Sequence, residues 1–184
     1  VDDSAGTAWN AAGETGTLQF SGTANQTFNA FAASARTYSS LEVKLSNGIS
    51  LSVNNDLTAT KFKFTSGDVI FNNDITIGSY SETDTPSGNI TFSANGTFSS
   101  ATTITTTGTV TVAAGKTLAI NNGAATPLDA DFTHTSGTTA VNGELKALAI
   151  NLGATTVNGN GARITGNSIT TGTITGTADN TDEL

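Results

Sequence analysis

Leu51-Ser-Val-Asn-Asn-Asp-Leu-Thr58 and Val69-Ile-Phe-Asn-Asn-Asp-Ile-Thr76 are near copies of one another, 18 residues apart. Each runs through an apolar residue, a spacer, a second apolar residue, then Asn-Asn-Asp, then apolar and Thr. Alternation with period two is the signature of a strand with one buried face. Asn-Asn-Asp between two such stretches is corner chemistry, because these side chains bond nearby backbone and tolerate a left-handed residue. Eighteen residues are too few for a propeller blade, which takes about 40–50 residues. They suit one coil of a solenoid whose short strands stack on the next coil at about 4.7–4.9 Å.

The same pattern extends outward. Leu18 and Phe20 alternate, as do Leu41, Val43 and Leu45, then Ile49, Leu51 and Val53 beyond Ser46-Asn-Gly48. Phe62 and Phe64 precede Thr65-Ser-Gly67, and Val69 and Phe71 follow it. Thr138-Thr-Ala-Val-Asn-Gly143 resembles Thr155-Thr-Val-Asn-Gly159, offset by 16 at the Asn-Gly. Gly108 to Gly123 holds two strands and two corners. Asn-Gly pairs begin at 47, 95, 122, 142, 158 and 160. The expected fold is all-β: a right-handed parallel β-helix of about seven or eight coils over residues 16–175. An extended segment, 1–15, precedes it and an acidic tail, 176–184, follows. A β-sandwich is the alternative, since short alternating strands serve that fold too. One or two helical turns at Asn29–Arg36 and a loop extruded at Ser79–Gly88 complete the layout. Stacking predicts a column of amides where Asn54-Asn-Asp56 lies over Asn72-Asn-Asp74.

Composition agrees. Thr, Asn and Ser occupy 36, 18 and 17 of 184 positions, and only 12% of residues are charged. Disordered chains of low hydrophobicity are usually highly charged, so this balance points to ordered strands and turns. Seven basic residues against fifteen acidic ones leave no footprint for nucleic acid. No apolar run approaches the length of a membrane-spanning helix. Zero Cys removes disulfides, thiolate metal sites and Cys nucleophiles. No Met occurs and the chain opens on Val1, so the expectation is a processed, secreted chain whose signal peptide has been removed. All nine Phe lie at or before position 132, which leaves a thin core of Val, Ile, Leu and Ala beyond it.

Gly16-Thr-Leu-Gln-Phe20, Leu41 to Val53, Asn54 to Thr58 and Gly108-Thr-Val-Thr-Val112 with Lys116-Thr-Leu-Ala-Ile120 carry a resemblance. They are similar to repeats of bacterial secreted β-helix surface proteins of the autotransporter-passenger and adhesin kind. The resemblance implies a role as adhesin, stalk, or filament or matrix component. Within these 184 residues neither a membrane barrel nor a long repeat array is read.

Candidate sites are sparse. His134 is the single histidine, with no nucleophile motif around it, and an outward strand position is expected. Asp129 and Asp131 share one face of a strand and are weak candidates for Ca²⁺, which takes clustered oxygens. Trp9, Tyr38 and Tyr80 are the aromatic platforms available to a glycan. With only Arg36 and Arg163 to pair with acids, an enzyme is not expected, and neither is a resident cofactor. Asn25-Gln-Thr27, Asn89-Ile-Thr91 and Asn95-Gly-Thr97 match the glycosylation pattern, as chance allows in such a chain. The leading expectation is a secreted structural subunit of a filament or surface matrix, its partner another copy, assembling by axial stacking or by strand donation from the N-terminal segment. An adhesin or carbohydrate-binding module is the alternative. Ice binding is a minor one, because the Thr-x-Thr pairs at 58/60, 105/107, 109/111, 133/135 and from 171 to 177 are irregularly spaced.

Overall fold

A computed structural model describes residues 17–29, 37–82, 86–121, 130–159 and 161–177. The strands in chain order are β1 Thr17–Gly22, β2 Gln26–Asn29, β3 Thr37–Tyr38, β4 Ser40–Leu45, β5 Ser50–Asn54 and β6 Leu57–Ser66. Next come β7 Asp68–Phe71, β8 Ile75–Glu82, β9 Ile90–Phe92, β10 Gly96–Phe98, β11 Thr102–Ile104, β12 Thr109–Val112 and β13 Thr117–Ile120. The series ends with β14 Phe132–Val141, β15 Glu144–Lys146, β16 Ala149–Asn158, β17 Arg163–Thr165, β18 Ser168–Thr171 and β19 Ile174–Thr177. Among the described residues there is no helix, and hence none long and apolar enough to cross a membrane. The helical turns expected at 29–36 fall on Asn29, which closes β2, and on residues outside the described ones.

Every pairing among the described strands is parallel. That excludes the sandwich, which is built from antiparallel sheets. The chain is a parallel β-solenoid of about seven coils. Leu51 pairs with Val69 and Leu57 with Ile75, so the 18-residue repeat is one coil. The offset of 16 is also a register, since Val141 pairs with Val157.

Each coil has three sides, because the alternation slips where a long strand turns. In β6, Leu57 and Ala59 point inward, two exposed residues follow, and Phe62 and Phe64 then point inward. β8 and β16 break in the same way, and β14 breaks across four residues. The first face holds β3, the starts of β6 and β8, and β10, β13, β15 and β17. The second holds β1, β4, the ends of β6 and β8, β11, the starts of β14 and β16, and β18. The third holds β2, β5, β7, β9, β12, the ends of β14 and β16, and β19.

Inward columns from the three faces meet in one core. Phe62, Tyr80, Phe98, Phe92 and Phe71 form a closed circuit of ring contacts, with centroids 5.4–6.0 Å apart. Such contacts are worth about 0.5–1.5 kcal/mol each beyond area burial. Gly96 belongs to this arrangement. It sits between Ile75 and Leu118 in the first face, and a Cβ there would lie 2.9 Å from the Phe92 ring. The missing side chain is the space that ring fills.

Candidate functional site

The corners are the most ordered polar feature. At the entry to the third face, an Asx side chain accepts the N–H of the residue one coil on. Asn25 Oδ1 accepts from Ser50 (3.0 Å), Asp68 from Asn89 (2.8 Å), and Asn89 from Thr109 (2.9 Å). The entry to the first face repeats the device, with Asp74 taking the N–H of Asn95 and Asn95 that of Thr117. Each short carboxamide or carboxylate thus satisfies a backbone donor where the chain turns and the strand ladder lapses. Asn89 and Asn95 also donate their amides to the Asp below. The asparagines of all three glycosylation patterns are therefore committed to the corners.

The expected amide column exists. Asn72 Nδ2 donates to Asn54 Oδ1 at 2.9 Å, and Asn54 Nδ2 to Asn29 Oδ1 at 3.1 Å. It spans three coils. In the same corner Asn55 has φ 64°, a left-handed backbone that Asn tolerates better than most residues.

A second column was hidden in the sequence. Gly67, Gly88, Gly108 and Gly137 stack at the corner before the third face. A Cβ on any of the last three would overlap the carbonyl oxygen of the glycine one coil below. Their spacings of 21, 20 and 29 residues conceal the alignment. A glycine followed by Asp, Asn or Thr at the start of an alternating strand was the available signal.

Among the described residues, charged side chains lie on two faces and at the corners. On the second face Glu42 binds Lys63 (3.0 Å), Gln19 and Thr65. On the first, Glu144 binds Arg163 (2.6 Å), Lys146 (2.9 Å) and Thr165. Burial pushes the Glu144 carboxyl up, but the hydrogen bonds and charges of Arg163 and Lys146 outweigh it and hold the group below its ordinary value. The third face carries one charge, Asp68, at its edge.

Of the aromatic platforms expected for a glycan, Tyr38 is withdrawn into the core and Tyr80 is partly covered. Tyr38 is 1% exposed and meets Phe28 edge-on at 5.4 Å, so it is core and offers no surface to a sugar. Tyr80 is half-buried between Phe62 and Phe98, and its hydroxyl donates to Glu82 Oε1 at 2.6 Å. Burial, then the negative charge of Glu82, raise the Tyr80 phenol well above its ordinary value. Trp9 lies outside the described residues. The expected loop at 79–88 is partly strand, because Ser79–Glu82 continues β8.

Asp129 also lies outside the described residues. Asp131 is exposed and accepts the N–H of Ala149 at 3.1 Å, a corner role. Among the described residues no group of three or more His, Asp or Glu side chains assembles as a metal site.

His134 is the clearest correction. It points inward and is 0% exposed, beside Ile104 on one side and Leu152 on the other. Phe132-Thr-His134 alternates, so His134 shares the buried side of Phe132. Its Nε2 lies 3.2 Å from the Thr106 carbonyl and its Nδ1 2.8 Å from Thr139 Oγ1. A carbonyl only accepts, so the proton is on Nε2 and Nδ1 accepts from the hydroxyl. The Thr-x-Thr pairs at 58/60, 109/111 and 133/135 fall on the first, third and second faces respectively.

Comparison with protein-family models, with curated proteins and with solved structures gave no match.

Proposed function

We propose that this chain is a secreted structural subunit of an extracellular filament or surface matrix, assembled by end-on stacking of solenoids. The carrying observation is the C-terminal coil. Among the described residues β17, β18 and β19 each pair on one side only, and Ile174 of β19 is 40% exposed, the one large hydrophobic side chain so placed. A strand edge beside an apolar side chain favours a further parallel strand. Another copy presents that geometry at β1, β2 and β3, which among the described residues also pair on one side only. A head-to-tail contact of two unlike ends propagates without closing. Strand donation by residues 1–15 is a second route to the same product, and that segment lies outside the described residues. The net charge of −8 opposes association, so salt should promote it.

The test is electron microscopy and sedimentation of the purified chain over a range of concentration and salt. Elongated particles that grow with both, and that are lost in Ile174→Asp, support the reading. A monomer at every concentration and salt, with Ile174→Asp indistinguishable from the native chain, overturns it.

A further inference from the structure

We propose that His134 makes the solenoid pH-responsive: protonation of this buried ring loosens the coils around β14 while the Phe-rich coils before it stay closed.

Both ring nitrogens are engaged by neutral partners, and they tie two adjacent coils together. Thr139 belongs to the same strand, past a slip in register between His134 and Thr138. Thr106 belongs to the preceding coil. Its own hydroxyl donates to the Gly88 carbonyl at 2.6 Å and accepts the N–H of Gly108 at 3.2 Å. The ring is thus linked through one residue to the glycine column. A second ring proton would sit on Nδ1 and face the Thr139 hydroxyl that now donates to it. That hydroxyl must turn, or the bond is lost, and a charge remains inside an apolar column between Ile104 and Leu152.

Little nearby offsets that charge. β11, β12 and β16, which pair with β14, contain no titratable side chain, and β14 contains no other. The charged group that acts on the ring is Glu82 of β8. Its carboxylate is already engaged by the Tyr80 hydroxyl and by the N–H and hydroxyl of Thr105. Burial lowers the His134 value, while the Thr106 carbonyl and Glu82 pull back in part. A lowered folded value means that the unfolded chain takes up the proton first. Stability is therefore fully present above the ordinary histidine value of about 6.5 and is lost as pH falls below it. In a solenoid each coil touches only its neighbours, so the loss can stay local.

The single histidine makes the test clean. Imidazole NMR across pH 7.5 to 4.5 should show a neutral ring with its proton on Nε2, persisting below the ordinary histidine value of about 6.5. Hydrogen exchange, corrected for intrinsic rate, should rise on acidification at 102–107, 132–141 and 150–157 and not at 51–53 or 69–71. His134→Gln can donate and accept at the same two partners without titrating. Between pH 7.5 and 5 its melting temperature should fall by about 3 °C less than that of the native chain. If His134→Gln does not fold, the NMR and exchange measurements on the native chain decide. A ring that titrates near 6.5 with unchanged exchange, or a variant with the native pH dependence, overturns the proposal.

Discussion

The coils before Ser100 and those after it are built to one plan from different materials. In the first group Phe62, Tyr80, Phe98, Phe92 and Phe71 close a ring of aromatic contacts, and among the described residues Tyr38 is the one fully buried side chain that carries a polar atom. In the second, Phe132 is the one buried aromatic, and Thr102, Thr106, His134, Thr139 and Thr155 sit inside. The strands nonetheless continue in parallel register from one group to the next. What the two regions share is the corners and the backbone ladder. The difference teaches that the corners define the path of the chain, whereas the core sets how firmly each coil is held. Hydroxyls can replace rings inside because each finds a carbonyl or imidazole partner, such as Gly88 O for Thr106 and His134 for Thr139.

The largest effect should ignore the division. Gly88→Ala in the first group and Gly137→Ala in the second both drive a methyl into a backbone carbonyl that the ladder holds in place. Each should cost more than about 5 kcal/mol in denaturant unfolding, in the exceptional range for a single substitution. A mild effect in either would show that the glycine column is not what fixes the coil spacing there. A smaller effect should expose the division. Phe71→Ala removes two aromatic contacts and should cost about 3–5 kcal/mol. Leu152→Ala should sit near the low end of about 2–5 kcal/mol, since its column neighbours are His134 and Thr171 rather than apolar side chains. Equal losses would erase the contrast in core quality. Smallest of all, Asn54→Ala takes the middle from the amide column, breaking its bonds to Asn29 and Asn72, at about 1–2 kcal/mol. Hydrogen exchange should register it at β2, β5 and β7 and leave β12 onward unchanged.

Much of this was legible in the sequence because coil length and register coincide where two coils match in length. Leu51 over Val69 and Asn54 over Asn72 could be read directly. Gly88, Gly108 and Gly137 could not, since coils of unequal length hide their stacking and glycine serves any turn equally well. The third side was hidden in the two-residue slip after Ala59, which reads as a ragged strand until its neighbours show the same slip. Tyr38 misled because a hydroxyl suggests a surface, whereas its position pairs with buried Ala59. His134 misled for the opposite reason: its period-two relation to Phe132 was plain, but a polar residue was assigned outward on type alone. The exposure of Ile174 was the least legible, because it depends on which neighbours the other coils supply.

Coil length also has a mechanical meaning. Folded, a coil adds about 4.8 Å to the stack, yet it stores about 20 residues of chain, or about 65 Å when drawn straight. Under tension along the axis the molecule would pay out roughly a dozen times its folded length, coil by coil, before the covalent backbone carried the load. The weaker coils of the second group would yield first, leaving the aromatic coils as the anchor.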